Sequence, residues 1–318
     1  DPTQQKLRKS SKKKKLAKHQ RVGNFRSYYS FRLGQSQPGV LEKDPRLAVL
    51  DAAWFRGKRG LDIGCNSGDL TIAIARKLEP AYVLGIDVDP QLVSRARANL
   101  KDLLQQERVK KAFEALPVRA AKAPQAGAEN NSEMSSADTP SIDTETTQGG
   151  GQHSAFAGEM PLSFRLWKAP VQAAASAPKA LGKVSTGSRF PANVVFKRED
   201  IVSDAHAGKD YDFITCFSVT KWIHLFHGDD GLKRVFAHVH ALLAPGGRFV
   251  VEPQPWKSYH KRKFTSETTA ANYQKIVLRP KDFPAFLVDT VGFRTCTFLQ
   301  VCRTSANGFR RPVYVLEK

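Results

Sequence analysis

An α/β fold on one open, mostly parallel sheet is what this sequence predicts, and three features predict it. Short apolar runs alternate with helical stretches, which is the pattern of strands buried on both faces and linked by crossover helices. The first run closes on a glycine-rich turn, "LDIGCNSGD". The second closes on an acid, Asp87, which follows Gly64 by 87 − 64 = 23 positions, a separation that recurs where a strand–turn–helix–strand unit holds a nucleoside.

The elements follow in order. "RGLDIGC" is an apolar run ending in glycine and predicts the first strand. "DLTIAIARKL" has helical periodicity, and "AYVLGIDV" reads as a second buried strand. "PQLVSRARANLKDLLQQ" predicts a second helix with Pro90 at its start, where a missing N–H costs little. The pattern then stops. Residues 117–190 are rich in Ala, Ser, Thr, Gly, Gln and Pro and predict a flexible low-complexity insertion, because such a stretch buries too little apolar surface to offset its ordering entropy. "NVVFKREDI" and "YDFITCFSVT" predict the third and fourth strands. "GDDGLKRVFAHVHALLAPGG" reads as an amphipathic helix ended by Pro and Gly, and "RFVVEPQPW" as the fifth strand. A helix and two closing strands over "PKDFPAFLVDTVGFRTCTFLQV" and "RPVYVLEK" bring the count to about seven. The expected organisation is a basic disordered tail over 1–22, one domain over 23–116 and 191–318, and the insertion between its halves.

Charge narrows the partner. The 318 residues carry a formal net charge of +20, a self-repulsion that an anionic partner relieves, with nucleic acid the first expectation. Eleven cations face one acid between Asp1 and Arg32, so this stretch holds half of the excess, and "KKKK" at 12–15 reads as a nucleic-acid or nuclear-import patch. Cys65, Cys216, Cys296 and Cys302 form no CxxC pair and have no matching histidine spacing, so neither a metal site nor a disulfide framework is expected, and the compartment is read as reducing. No apolar run is long enough to span a bilayer, and the basic, polar N-terminus is not that of a secretory signal.

The glycine turn points to a cofactor. Gly64 and Gly68 let the backbone turn and leave no side chain between main chain and ligand. Asp87 is placed to accept from both hydroxyls of a ribose. A dinucleotide loop cradles a pyrophosphate, but here Cys65-Asn66 interrupts the glycines and Asp62 precedes them, and a carboxylate there repels a pyrophosphate while suiting a cationic or amino-acid group. With the helix–PGG–strand unit downstream, the reading is S-adenosylmethionine and a class I methyltransferase with a Rossmann-like seven-stranded sheet. Asp200 suits the adenine amine, Ile201 one adenine face, and Phe217 the other face or the core.

These motifs together, "GNFRSYYSFR", "LDIGCNSGDLT", "CFSVTKWIHL", "GDDGLKRVF", "LLAPGGRFVVEPQPWKSY", "KRK" and "GFRRPVYVLEK", resemble the bicoid-interacting methyltransferases, the methylphosphate capping enzymes of small nuclear RNA. The resemblance covers most of the chain outside the tail and the insertion. It implies methyl transfer from S-adenosylmethionine to the γ-phosphate of an RNA 5′-triphosphate. It implies cofactor contacts at Tyr29, Arg46, Gly64, Cys65, Asn66, Asp87, Val88, Asp200, Ile201 and Phe217, phosphate-end contacts at Tyr28, Arg32, Lys221, Trp222 and His224, and RNA-backbone contacts at Lys261, Arg262 and Lys263. Its further implications are a nuclear monomer acting on small non-coding RNA, with ribonucleoprotein partners such as La-related proteins. Two departures stand out: Ser30-Phe31 where the family has Gly-Tyr, and Phe226-His227 where it has Asn-Trp.

The chemistry is self-consistent. A terminal phosphate carries close to two negative charges at neutral pH, so its oxygen is a ready nucleophile, and the site's work is positioning and charge neutralisation. His224 reads either as a hydrogen-bonding imidazole of the site or as a satisfied core residue, and Trp222 as an aromatic wall or core packing. Tyr28, Tyr29 and Arg32 read as a lid closing over the site, mobile until RNA binds. Two rival functions keep the fold: methylation of 5′-monophosphate ends, and a mainly non-catalytic RNA chaperone role.

Overall fold

The structure is a computed structural model that describes residues 28–33, 44–114, 189–301 and 305–318. The expectations for the basic tail at 1–22, for the stretch 23–27, for the insertion over 117–188 and for Cys302 lie outside the described residues. The chain divides into two compact units, one of Asp1–Leu104 with Leu181–Lys318 and one of Gln105–Ala180. The first holds the sheet; of the second, 105–114 is described, as helix.

Seven strands form one sheet in the order β3-β2-β1-β4-β5-β7-β6. They are β1 (Arg59–Ile63), β2 (Tyr82–Asp87), β3 (Val194–Arg198), β4 (Tyr211–Phe217), β5 (Leu243–Glu252), β6 (Thr295–Val301) and β7 (Pro312–Glu317). Strands β1 to β5 pair in parallel, and β7 runs antiparallel between β5 and β6. The order reverses between β1 and β4, and in open α/β sheets ligands bind beyond the carboxyl ends of the strands at that reversal. Strand alternation feeds two cores: Ile214 and Cys216 of β4 belong to one cluster, Phe213 and Phe217 to the other.

The helices that matter for the site are α1 (Tyr28–Leu33), α2 (Asp69–Lys77), α3 (Pro90–Glu114), α4 (Thr220–Leu242), α5 (Trp256–His260) and α6 (Glu267–Lys275). Two boundaries differ from expectation. The amphipathic helix begins at Thr220 rather than at Gly228, because Gly228, at φ 66° and ψ −170°, joins two helical segments across a kink. "TKWIHLFH" is thus helical. The fifth strand begins at Leu243, running through the "APGG" expected to end the helix, and stops at Glu252, before the aromatic Trp256.

Candidate active site

A cavity of about 460 Å³ opens at the reversal point, lined from the ends of β1, β2 and β4 and from α1, α4 and the stretch before β7. Local backbone geometry builds it. Gly64 sits at φ 77°, and a Cβ there would lie 2.2 Å from Val219 Cγ2, so the turn after β1 admits no side chain. Gly68 is also left-handed, but its missing Cβ makes room for Ala96 and Phe196. It therefore serves helix packing and does not line the cavity. Cys65 is likewise turned away, buried in the core cluster beneath the turn. Of the glycine turn, Gly64 and Asn66 line the cavity, and Cys65 and Gly68 do not.

One half of the cavity is acidic and apolar. Asp87 accepts the backbone N–H of Asn66 and of Asp89, both at 2.9 Å, and burial raises its pKa to about 6. Val88, Asp200, Ile201 and Phe217 line the same half. Asp200 uses one oxygen on the Val202 N–H and the other on the Ser203 hydroxyl. Asp62 accepts the hydroxyls of Thr71 at 2.6 Å and Thr215 at 2.7 Å, and burial raises its pKa. Arg46 is 1% exposed, holds Asp44 through two contacts at 2.9 and 2.6 Å, and lies 5.3 Å from the Phe217 ring centroid. The Tyr29 hydroxyl accepts the Leu70 N–H at 3.2 Å, at the start of α2.

The other half is cationic. Lys221, Trp222, Phe226, His227, Arg262, Phe309 and Arg311 line it. Lys221 is 7% exposed, and its pKa falls to about 7, through burial first and then the like charges of Arg311 and Arg262. Its ammonium lies 4.6 Å from the Trp222 ring centroid. Arg311 bonds the Ser218 hydroxyl and the Gly308 carbonyl, the latter at 3.0 Å, and its Nε is buried without a partner.

Two expected phosphate contacts lie elsewhere. Arg32 is fully buried and pairs with the fully buried Glu252 of β5 through contacts at 2.9 and 2.5 Å. Its charge is satisfied there, so it holds α1 against the sheet instead of clamping an anion, while Tyr28 bonds Ser218 at 3.0 Å and reaches the cavity. His224 is fully buried, bonded through Nε2 to Asp229 at 2.6 Å and through Nδ1 to the Tyr259 hydroxyl at 3.3 Å. It is a satisfied core histidine, because Asp229 and Tyr259 take both ring nitrogens and it does not line the cavity. Lys261 and Lys263 flank Arg262 without lining the cavity. Sequence reasoning passed over Arg311 and Phe309. The signal was present in "GFRRPVYVLEK", but nothing local ties that stretch to a cavity built by strands about a hundred or more residues earlier. Among the described residues no group of His, Cys, Asp and Glu is arranged to hold a metal ion, and no helix is long and apolar enough to cross a membrane.

The sheet order, the glycine turn at its switch point and the carboxylate closing β2 define a class I methyltransferase, and S-adenosylmethionine is the cofactor of that class. The cavity fits it: Asp87 and Asn66 flank the turn, Gly64 leaves the main chain bare, and Ile201 and Phe217 offer apolar faces. The family described as bicoid-interacting protein 3 matches residues 211–318, and one described as a methyltransferase domain matches 61–132. The chain is 36% identical over 309 residues to a probable RNA methyltransferase of Arabidopsis thaliana, covering 96% of this chain and 83% of that protein. It is 37% identical over 312 residues to the 7SK snRNA methylphosphate capping enzyme of Mus musculus, covering 96% of this chain but 42% of that protein's length. A pre-miRNA 5′-monophosphate methyltransferase of Xenopus laevis is 26% identical over 251 residues, covering 74% of this chain and 68% of that one. The chain belongs to the bicoid-interacting protein 3 family.

Proposed function

We propose that this chain methylates the 5′-terminal phosphate of a small nuclear RNA, with a triphosphate end as the preferred substrate. The observation that carries the reading is the polarity of the cavity: carboxylates and apolar walls in one half, Lys221, Arg262 and Arg311 in the other. Holding Lys221 at a pKa of about 7 instead of 10.5 costs about 5 kcal/mol against its charged form. Among the described residues no carboxylate pairs with this ammonium, and an anion bound there would offset the cost. A relative's name as a capping enzyme for snRNA fits the same chemistry.

Residue roles follow. Asp87 and Asn66 hold the ribose side of the cofactor; Asp200, Ile201 and Phe217 hold its adenine; and Arg46 and Asp62 border its amino-acid end. Bound S-adenosylmethionine supplies an electrophilic methyl group. Lys221, Arg262 and Arg311 neutralise and orient the phosphate so that one oxygen faces that group, and Trp222 and Tyr28 wall the path from water. No general base is required, because the phosphate oxygen is already anionic. The monophosphate reading is favoured by the Xenopus laevis relative and by Phe226-His227 on the cavity wall. A nuclear location and ribonucleoprotein partners such as La-related proteins accompany the snRNA reading.

The test is radiolabel transfer from S-adenosylmethionine to one hairpin RNA with a 5′-triphosphate, 5′-monophosphate or 5′-hydroxyl end. Label on the triphosphate form alone supports the proposal. Label on the monophosphate form moves the substrate; equal label on all three makes a base or ribose the acceptor; tight binding with no label supports the chaperone role.

A further inference from the structure

Beside the cationic half of the cavity lies a surface that joins it only through Arg262. Residues 256–264, "WKSYHKRKF", hold Lys257, Lys261, Arg262 and Lys263 and no acid. At its end Phe264 is 79% exposed. A single exposed phenylalanine is unremarkable, but this one is held in place. The turn that presents it is pinned by Thr265 Oγ1 donating to the Arg262 carbonyl at 2.7 Å and by Thr269 Oγ1 donating to the Lys263 carbonyl at 2.8 Å. Lys263 lies 4.9 Å from the Phe264 ring centroid and 5.0 Å from that of Tyr273. Tyr273 in turn stacks on Trp256 at 4.8 Å and an interplanar angle of 7°, and Arg279 covers Trp256 at 3.7 Å.

We propose that Phe264 is a stacking platform for an unpaired base near the 5′ end of the RNA, with Lys257, Lys261 and Lys263 following the backbone. The inference rests on the reading of the cavity as an RNA 5′-end site. Arg262 lines that cavity and Phe264 follows two residues later, so their Cα atoms are at most about 7 Å apart. A stacked strand advances about 3.4 Å per nucleotide, so an RNA with its 5′ end in the cavity brings its first few bases within reach of the ring. Aromatic rings interleaved with cations are the physical signature of single-strand binding, because every base offers a π-face and the backbone offers charge. A base paired in a duplex has no free face to give. The substrate class is therefore an RNA whose first nucleotides are unpaired.

The experiment compares two 5′-triphosphate hairpins with the wild-type chain and with Phe264→Ala: one blunt, one with a four-nucleotide unpaired 5′ leader carrying 2-aminopurine at the third position. Methyl transfer and 2-aminopurine fluorescence are read separately. The expected result is an advantage of about tenfold for the leadered RNA in half-saturating concentration, with fluorescence quenched on binding, and both lost in Phe264→Ala. Equal use of the two RNAs by the wild-type chain, or a leader advantage that survives in Phe264→Ala, overturns the inference and leaves the phosphate site standing. Quenching that depends on Phe264 while no RNA is methylated supports the platform and removes the proposed reaction instead. If Phe264→Ala changes binding to anionic lipid vesicles and not to leadered RNA, the surface faces a membrane and the inference falls.

Discussion

Glu252→Gln is the sharpest test of how the N-terminal helix is held. Glu252 is fully buried in the end of β5, gripped by Arg32 through two contacts and approached by Arg311 at 3.8 Å. The substitution keeps the shape and removes the carboxylate charge that lies between the buried guanidiniums of Arg32 and Arg311. At an effective dielectric of about 20, a pair of charges about 4 Å apart is worth about 4 kcal/mol, and breaking a buried pair from one side typically costs about 3–5 kcal/mol. The two figures agree. For an ordered unit of this size the loss lowers the melting temperature by roughly 10 °C. Thermal and denaturant unfolding measure it, with cofactor affinity as the second readout, since Tyr28 and Tyr29 on the same helix line the cavity. Arg32→Met combined with Glu252→Gln should recover part of the loss, because the stranded cation is gone. A cost for Glu252→Gln below about 1 kcal/mol, with no recovery in the double variant, refutes the ion pair as the anchor of α1.

Four further outcomes are expected. Lys221 is charged only below its folded pKa of about 7, so kcat/KM for RNA should fall as pH rises through that value, and Lys221→Arg, which stays charged, should flatten the profile; superimposable profiles exclude Lys221 as the phosphate cation. Asp87 has its pKa raised to about 6, so it protonates as pH falls through that value, and S-adenosylmethionine affinity measured by calorimetry should weaken there while remaining level above it, and Asp87→Asn should remove the step. Gly64→Arg should abolish cofactor binding, since even a Cβ meets Val219 at 2.2 Å; RNA binding that survives this change separates a chaperone role from catalysis. His224→Phe should destabilise the fold by about 1–3 kcal/mol by stranding Asp229 and Tyr259, and a kcat loss without a stability loss contradicts a core role.

The alternation of apolar strands and helices, the left-handed glycine after β1 and the acid closing β2 are local facts, and the sequence by itself determined them. Strand period, turn sterics and the spacing across one strand–helix–strand unit act over a few tens of residues. The acidic and apolar half of the cavity was legible for that reason. The cationic half was legible only in part: Lys221, Trp222 and Arg262 line it, while Arg32 and His224 do not. Whether Arg32 meets an anion or Glu252 depends on a partner 220 positions away. Whether His224 faces the cavity or the core depends on Tyr259, 35 positions away, and on the kink at Gly228 that brings Asp229 to its other nitrogen. Arg311 and Phe309 reach the cavity only because β7 inserts antiparallel between β5 and β6. Charge and residue type show which groups need a partner; only the packed chain assigns the partner, since burial leaves a cation either the carboxylate beside it or the ligand that comes.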